Sequence, residues 1–330
     1  MALDVKVKIS LSSVGGVVGF GVPLILVSSA TKAIAFNEYT DAESVSKAGY
    51  DTTSAAYKAF QLMKMQTNSP EKIAIAQVTD KAAVAIPTFE GRVRQVVTLL
   101  AAEGDSSIKE VADAIETTGS MTYFPVVANQ SEASTLSGYD RTMVGVHSET
   151  ATQAIGAALV GATAGYDAGS FTYKNMKLKG VTPDDIGEGD LTAIDTANMY
   201  TIAKKAGDIV TTGGKAISGE YLDVTDAFDW ITQNIRYGVQ KLLNSSPKVA
   251  YTNAGIGAIE AVVIGVLKQA DRMGIIAHND ADEAMYSTDF ATRAETTEAE
   301  RAARAYTRGN FSFSLAGAIH TAEINGVVTV

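Results

Sequence analysis

Cysteine is absent from this chain of 330 residues. Its absence excludes disulfides, thiolate metal sites and cysteine nucleophiles. Histidine is scarce: His147, His278 and His320 are the only three. None stands at metal-ligand spacing from another histidine or a carboxylate, as in His-Glu-x-x-His. Each therefore reads as structural: His147 at a strand end, His278 in a loop, His320 inside a terminal strand. Basic charge is in deficit, and the net charge is −10. A general nucleic-acid binder would carry a basic stripe, and an acidic balance by itself speaks only of solubility. No apolar run is long enough to cross a bilayer as a helix, because residues 14–27 contain four glycines and Pro23. A secretory apolar core is missing too, since Lys6 and Lys8 interrupt the first apolar positions. A cytoplasmic origin is compatible with these absences. There is no low-complexity tract.

Phosphate loops and catalytic clusters are also lacking. Residues 15–21 do not fit G-x-G-x-x-G, and they precede a strand where a Rossmann loop would follow one. Gly255-Ile-Gly257 has Glu260 in place of the third glycine, and an acidic residue there repels a pyrophosphate. Thr212-Gly-Gly-Lys215 lacks P-loop spacing. These motifs read as turns and caps. Asp184, Asp185, Glu188 and Asp190 could hold Ca²⁺ only if their loop folded around it, and the spacing is not that of an EF-hand. A solvated loop is the simpler reading. No catalytic, cofactor or metal residues are assigned.

What is present is a globular composition, 46% hydrophobic and 19% charged, on a chain long enough for two domains. Residues 23–28 read as a strand buried on both faces. Helices are expected at 41–48, 54–65, 91–102, 107–117, 131–136 and from 148 to about 163. Strands are expected at 72–78, 123–128 and 142–147. Strands separated by helices indicate an α/β domain with a mostly parallel sheet and flanking helices over 22–165. A loop or linker at 166–190 follows. Beyond it the pattern is α+β. Strands at 199–203 and 208–212, with Gly213-Gly214 as a possible hairpin turn, precede long helices at 221–243 and from Asn253 to Gly274. Val224, Phe228, Ile231, Ile235, Val239 and Leu242 share the buried stripe of the first long helix. A third helix is expected at 296–306. It is acidic at its start (Glu295, Glu298) and carries Arg301, Arg304 and Arg308 on one face. That face is either solvated or a cationic stripe for an acidic partner, and Glu300 could pair with Arg304.

Both ends read as strand-forming arms. Val5, Val7, Ile9 and Leu11 alternate with polar residues. A connector rich in glycine (Gly15, Gly16, Gly19, Gly21) follows, giving an arm and bendable tether over 1–21. At the other end, Phe311, Phe313 and Leu315 alternate with Ser312 and Ser314. Asn325-Gly326 is a hairpin signal, and only Val327, Val328, Thr329 and Val330 follow it. A strand this short either closes its own sheet or pairs with another molecule. With a second arm at the N-terminus, strand addition to a neighbour is the favoured reading for 310–330, Ile324 included. The residues thus point to a self-assembling structural protein. The competing reading is an oligomeric α/β enzyme or nucleotide-binding protein, or another self-assembling protein such as a tube or lattice subunit.

Four stretches carry a resemblance. They are Ser218-Gly-Glu-Tyr-Leu-Asp-Val-Thr-Asp-Ala-Phe-Asp-Trp230, Leu243-Asn-Ser-Ser-Pro-Lys-Val-Ala-Tyr-Thr-Asn-Ala-Gly-Ile256, Glu300-Arg-Ala-Ala-Arg-Ala305 and Leu315-Ala-Gly-Ala-Ile-His-Thr-Ala-Glu-Ile-Asn-Gly-Val327. In order and spacing they resemble phage contractile-tail sheath proteins of a short, myovirus-type branch. The α/β half matches only in layout. The resemblance implies a non-enzymatic structural subunit without cofactors, with 191–309 as a C-terminal sheath domain and the α/β domain outside. It implies stacked hexameric rings around a tail tube, strand arms shared between subunits, and contraction that drives the tube through the host envelope. The implied partners are further copies of the chain, the tube protein, and baseplate and tail-terminator proteins, with neither nucleic acid nor membrane insertion. The implied location is the virion tail, assembled in the host cytoplasm. Gly15–Gly21 becomes a hinge, and Arg301, Arg304 and Arg308 become tube-facing candidates.

Overall fold

A computed structural model describes residues 21–29, 31–100 and 107–321. They divide into two compact units, and the division falls between Trp230 and Ile231. Val5, Val7, Ile9, Leu11, Gly15, Gly16, Gly19, Ile324, Val327, Val328 and Val330 lie outside the described residues.

The first unit is built on Val22–Ser28 (β1), the central strand of a five-stranded sheet. Leu24, Ile25 and Leu26 have no exposed surface. Burying side chains of this size contributes about 1.5–3 kcal/mol each. There follow Ile34–Tyr39 (β2), Ala42–Lys47 (α1), Ala55–Lys64 (α2), Ile73–Val78 (β3), Ala82–Ala85 (α3), Val93–Leu99 (β4), Ile108–Thr118 (α4) and Thr122–Tyr123 (β5). The sheet order is β2-β3-β1-β4-β5. All neighbours are parallel except β2, which runs antiparallel to β3 at the edge. Ile25, Ile75 and Val97 face one core with Phe60 and Met63 of α2. Leu24, Leu26 and Val96 face a second core with Val111 and Ile115 of α4. Asp41, Ser54 and Ser107 start their helices by accepting hydrogen bonds from main-chain N–H groups of the first turn.

The unit continues through Val126–Val127 (β6), Gly145–Val146 (β7), Ala154–Thr163 (α5), Glu188–Thr196 (α6), Ile202–Lys205 (β8), Asp208–Thr211 (β9) and the first turns of Leu222–Ser245 (α7). Every residue of α5 is buried, as befits a helix apolar on all sides. It can approach α2 closely because Gly161 has no side chain; a Cβ there would collide with the Met63 backbone. The second unit comprises the rest of α7, Asn253–Arg272 (α8), Tyr286–Phe290 (β10), Glu298–Ala302 (α9) and Gly309–Phe313 (β11). Thr252, not Asn253, is the N-cap of α8. Ile235 and Val239 of α7 and Ile256, Val263 and Leu267 of α8 are buried, and the two helices pass closely where Gly238 faces Val262.

Several elements depart from expectation. Residues 93–99 form the fully buried strand β4, not a helix. Val93, Val96, Val97 and Leu100 have helical spacing, but β-branched residues buried on both faces suit a central strand. Strand β2 and helices α3 and α6 carry no strong pattern and were not anticipated. Pro125 divides the expected 123–128 strand into β5 and β6. Residues 131–136 hold only a 3-10 turn, Gln130–Ala133, and α5 begins later than residue 148. The β8–β9 hairpin turns at Ala206 and Gly207, both at positive φ, and not at Gly213-Gly214. The stretch 166–190, expected as a linker, belongs to the first unit: Tyr173 is fully buried, and Gln66 clamps Lys179 by donating to its carbonyl and accepting from its N–H. Gly21 lies against the backbone of Val93 and Arg94, where a Cβ would come within 2.9 Å.

Candidate assembly site

The second unit carries a two-stranded antiparallel sheet whose faces differ in chemistry. Tyr286 pairs with Phe313, Thr288 with Phe311 and Phe290 with Gly309. Ser287 pairs with Ser312 and Asp289 with Asn310 on the alternate face. The hydroxyls of Ser287 and Ser312 hydrogen-bond across it at 2.8 Å. On the apolar face, Thr288 donates to Glu260 of α8 at 2.7 Å. Phe290 stacks on Tyr306, and Phe311 stacks on Phe313. All these aromatics are only half-buried.

Phe311 and Phe313 were expected on an inter-subunit arm, yet they sit on a strand paired within the chain. Their alternation reports a half-buried strand correctly but is silent about which strand it meets. Among the described residues, β10 and β11 pair only with each other, so each leaves an outer edge open. An isolated two-stranded sheet is marginal in water. Open edges are templates for further strands.

The arginine segment differs from the expected helix. Helix α9 spans five residues, Glu298–Ala302, and the chain then turns. Ala305 N–H donates to the Glu300 carbonyl and Arg304 N–H to that of Arg301, the paired bonds of a Schellman motif. Arg304 occupies the left-handed position, φ 54°, where glycine is favoured. The three arginines therefore do not share one helical face. Arg301 donates to the carbonyls of Thr296 and Arg293. Arg308 pairs with Glu300 at 2.8 Å, taking the partner expected for Arg304. That bond, with the Thr297 cap, holds the Glu300 carboxyl down at about 2. The Arg304 side chain is exposed and makes no hydrogen bond or ion pair among the described residues.

A buried polar cluster in the first unit was missed altogether. Arg94 of β4 donates to Asp226 and, at 2.5 Å, to Asp229, both on the first turns of α7. Arg141 grips Asp229 with two bonds of 2.6 and 2.9 Å. Tyr173 donates to Asp226 at 2.6 Å, and Gln95 donates to Tyr173 and Thr163. Burial pushes the Asp226 carboxyl up, against the pull of Arg94. The Tyr173 hydroxyl is pushed well up by the same burial and by Asp226. The cluster pairs two cations with two anions, as buried charges require. It anchors α7 to the sheet. The available signals were one arginine within an apolar run and two aspartates three apart on an amphipathic helix. Phe228, placed on the buried stripe from spacing, is 37% exposed, and Asp226 is buried.

The other candidates hold structure together. His147 accepts from Glu149 N–H through Nδ1 and donates from Nε2 to the Thr182 carbonyl. Asp184 accepts from Ser148 N–H and its hydroxyl. Among the described residues, no group of three His, Asp or Glu side chains is placed to hold a metal, and no helix is long and apolar enough to cross a membrane.

No protein-family model matches the sequence, and no curated protein matches it. Solved structures do match. A chain from the cryo-EM structure of the anti-feeding prophage baseplate, six-fold symmetrised, superposes with a TM-score of 0.70 at 14% identity, covering 100% of this chain and 99% of that one. A chain from the sheath complex of the extracellular contractile injection system PVC, in its contracted state, gives 0.68 at 10% identity, covering 100% and 99%. The sheath tail protein of Listeria innocua gives 0.59 at 8% identity, covering 83% and 90%. This is the contractile-sheath fold. The mixed α/β sheet and the antiparallel pair β10–β11 are parts of it. At these identities the sheath fold is established by shape alone.

Proposed function

We propose that the chain is a structural subunit of a contractile tail or injection-system sheath, without enzymatic activity. The observation that carries this reading is coverage. Chains from contractile sheaths superpose over the whole of this chain and nearly the whole of their own. In the proposed assembly, subunits form stacked hexameric rings around a tube and join a baseplate and terminator, and shortening of the sheath drives the tube through the host envelope.

The open sheet β10–β11 supports the strand-exchange part of the proposal. Two strands with half-buried aromatics gain stability from added strands, and main-chain hydrogen bonds at an edge supply affinity. The segments carrying Val5, Val7, Ile9 and Leu11, and Ile324, Val327, Val328 and Val330, are the strands proposed to add. Gly15, Gly16, Gly19 and Gly21 are the proposed hinge. Of the arginines proposed to face the tube, Arg304 is best presented, because Arg301 and Arg308 are already engaged within the chain. An arginine kept at a left-handed position costs backbone energy, and strain of this kind collects at functional positions.

Cosedimentation with the candidate tube protein tests both parts. A chain lacking residues 1–15 should remain folded but fail to pellet as long assemblies. Arg304→Glu should weaken association with the tube while leaving chain-to-chain assembly intact. Unchanged assembly by the truncated chain would remove the arm reading, and unchanged tube binding by the Arg304 variant would remove the tube contact.

A further inference from the structure

His278 is held by a carboxylate on each side. Its Nε2 lies 2.7 Å from Asp271 of α8 and its Nδ1 2.8 Å from Asp282. An ionised carboxylate only accepts, so satisfying both contacts needs a proton on both ring nitrogens, the imidazolium form. The two aspartates engage opposite edges of the ring. The three side chains therefore do not converge on a point that a metal could occupy.

The surrounding loop is ordered around this contact. Asn279 accepts from the N–H groups of Ala281 and Glu283, and its amide donates to the Glu283 carboxylate. Asp282 adopts φ 61° to present its carboxylate. His278 bridges to Ala284, Met285 N–H donates to the Ala277 carbonyl, and β10 begins one residue later. Ala277 N–H in turn donates to Ser314, just past β11. The loop thus borders the end of the sheet where β10 starts and β11 stops.

We propose that Asp271, His278 and Asp282 form a pH-operated latch that fixes the loop launching β10 to the end of α8. The latch is closed while the imidazole carries both protons and is weakened when it loses one. The charged groups on the packed elements are Lys268, Asp271 and Arg272 from α8 and Asp280, Asp282 and Glu283 from the loop. Residues 314–316 contribute none. Asp271 first, and then Asp282, raise the His278 pKa above its ordinary 6.5. A raised histidine stabilises the folded state fully below the unfolded value and loses that contribution as pH rises through the folded one. The latch therefore opens toward alkaline pH. The latch does not depend on what the chain assembles with. In a sheath it would loosen the strand-accepting sheet under alkaline conditions.

Imidazole NMR on the full chain tests it first, because only three histidines need assignment. His278 should titrate above 6.5, and Asp271→Asn and Asp282→Asn should each lower its pKa. Hydrogen exchange, corrected for intrinsic rate, is the second readout. Protection at Ala277 and Met285 should fall as pH passes the His278 pKa, by about tenfold for each unit by which that pKa is raised. Protection at Ile25, in the other unit, should stay level. In His278→Gln, protection at Ala277 and Met285 should be low and independent of pH. A wild-type His278 titrating at or below 6.5, or level protection at Ala277 and Met285, would overturn the latch, even if the His278 variant did not fold.

Discussion

Replacing Asp229 with alanine should destabilise the first unit more than any single surface change. Asp229 accepts from Arg94 and, through two bonds, from Arg141. The three side chains are only 8–13% exposed. Removing the carboxylate takes Asp229 from both arginines, while Arg94 keeps Asp226 and the Ser120 carbonyl. Breaking a buried pair from one side costs about 3–5 kcal/mol, because a desolvated charge is left behind. With a urea slope of about 2–3 kcal/mol/M, the midpoint should fall by roughly 1–2.5 M. The assay is direct, since the only tryptophan, Trp230, follows Asp229 in sequence and is buried. Its fluorescence reports unfolding where the cluster sits. Asp226→Asn should cost less, because the amide oxygen can still accept from Arg94 while its NH2 turns to the Tyr173 oxygen. A midpoint for Asp229→Ala within a few tenths molar of wild type would refute the claim that this cluster anchors α7.

Two further predictions concern the arginine segment. Arg304→Gly should raise stability by about 1 kcal/mol by relieving the left-handed backbone, yet weaken tube association; thermal unfolding and cosedimentation measure the two effects separately. A Glu300 side-chain titration by NMR should give a value near 2. Because that carboxyl is depressed from 4.5, its contribution is present above 4.5 and is lost as pH falls toward 2. The 297–308 turn should therefore loosen only in strong acid, and in Glu300→Gln it should be loose at neutral pH.

Much of the architecture is legible from local pattern. Continuous apolar residues mark β1, and Ser107 with Glu110 marks the start of α4 through a reciprocal cap. The failures share a cause: they depend on what a segment meets, which spacing does not encode. Residues 93–99 satisfy both a helical and a strand period, and only helices on both faces decide for the strand. Tyr173 looks like part of a polar loop until Asp226 and Gln95 are brought to its hydroxyl. The candidate assembly site is half legible. Alternation at Phe311 and Phe313 identified a strand but not its partner Tyr286–Phe290. The Arg301, Arg304 and Arg308 spacing assumed a helix that ends at Ala302. His278 was read as a loop residue because Asp271 and Asp282 surround it only after folding.

Negative-stain electron microscopy of the purified full chain tests assembly itself. The chain is imaged alone at high concentration and again after co-expression with its candidate tube protein. Hollow cylinders or stacked six-fold rings are expected, at the latest when the tube template is present. Small discrete particles under both conditions would contradict the sheath reading.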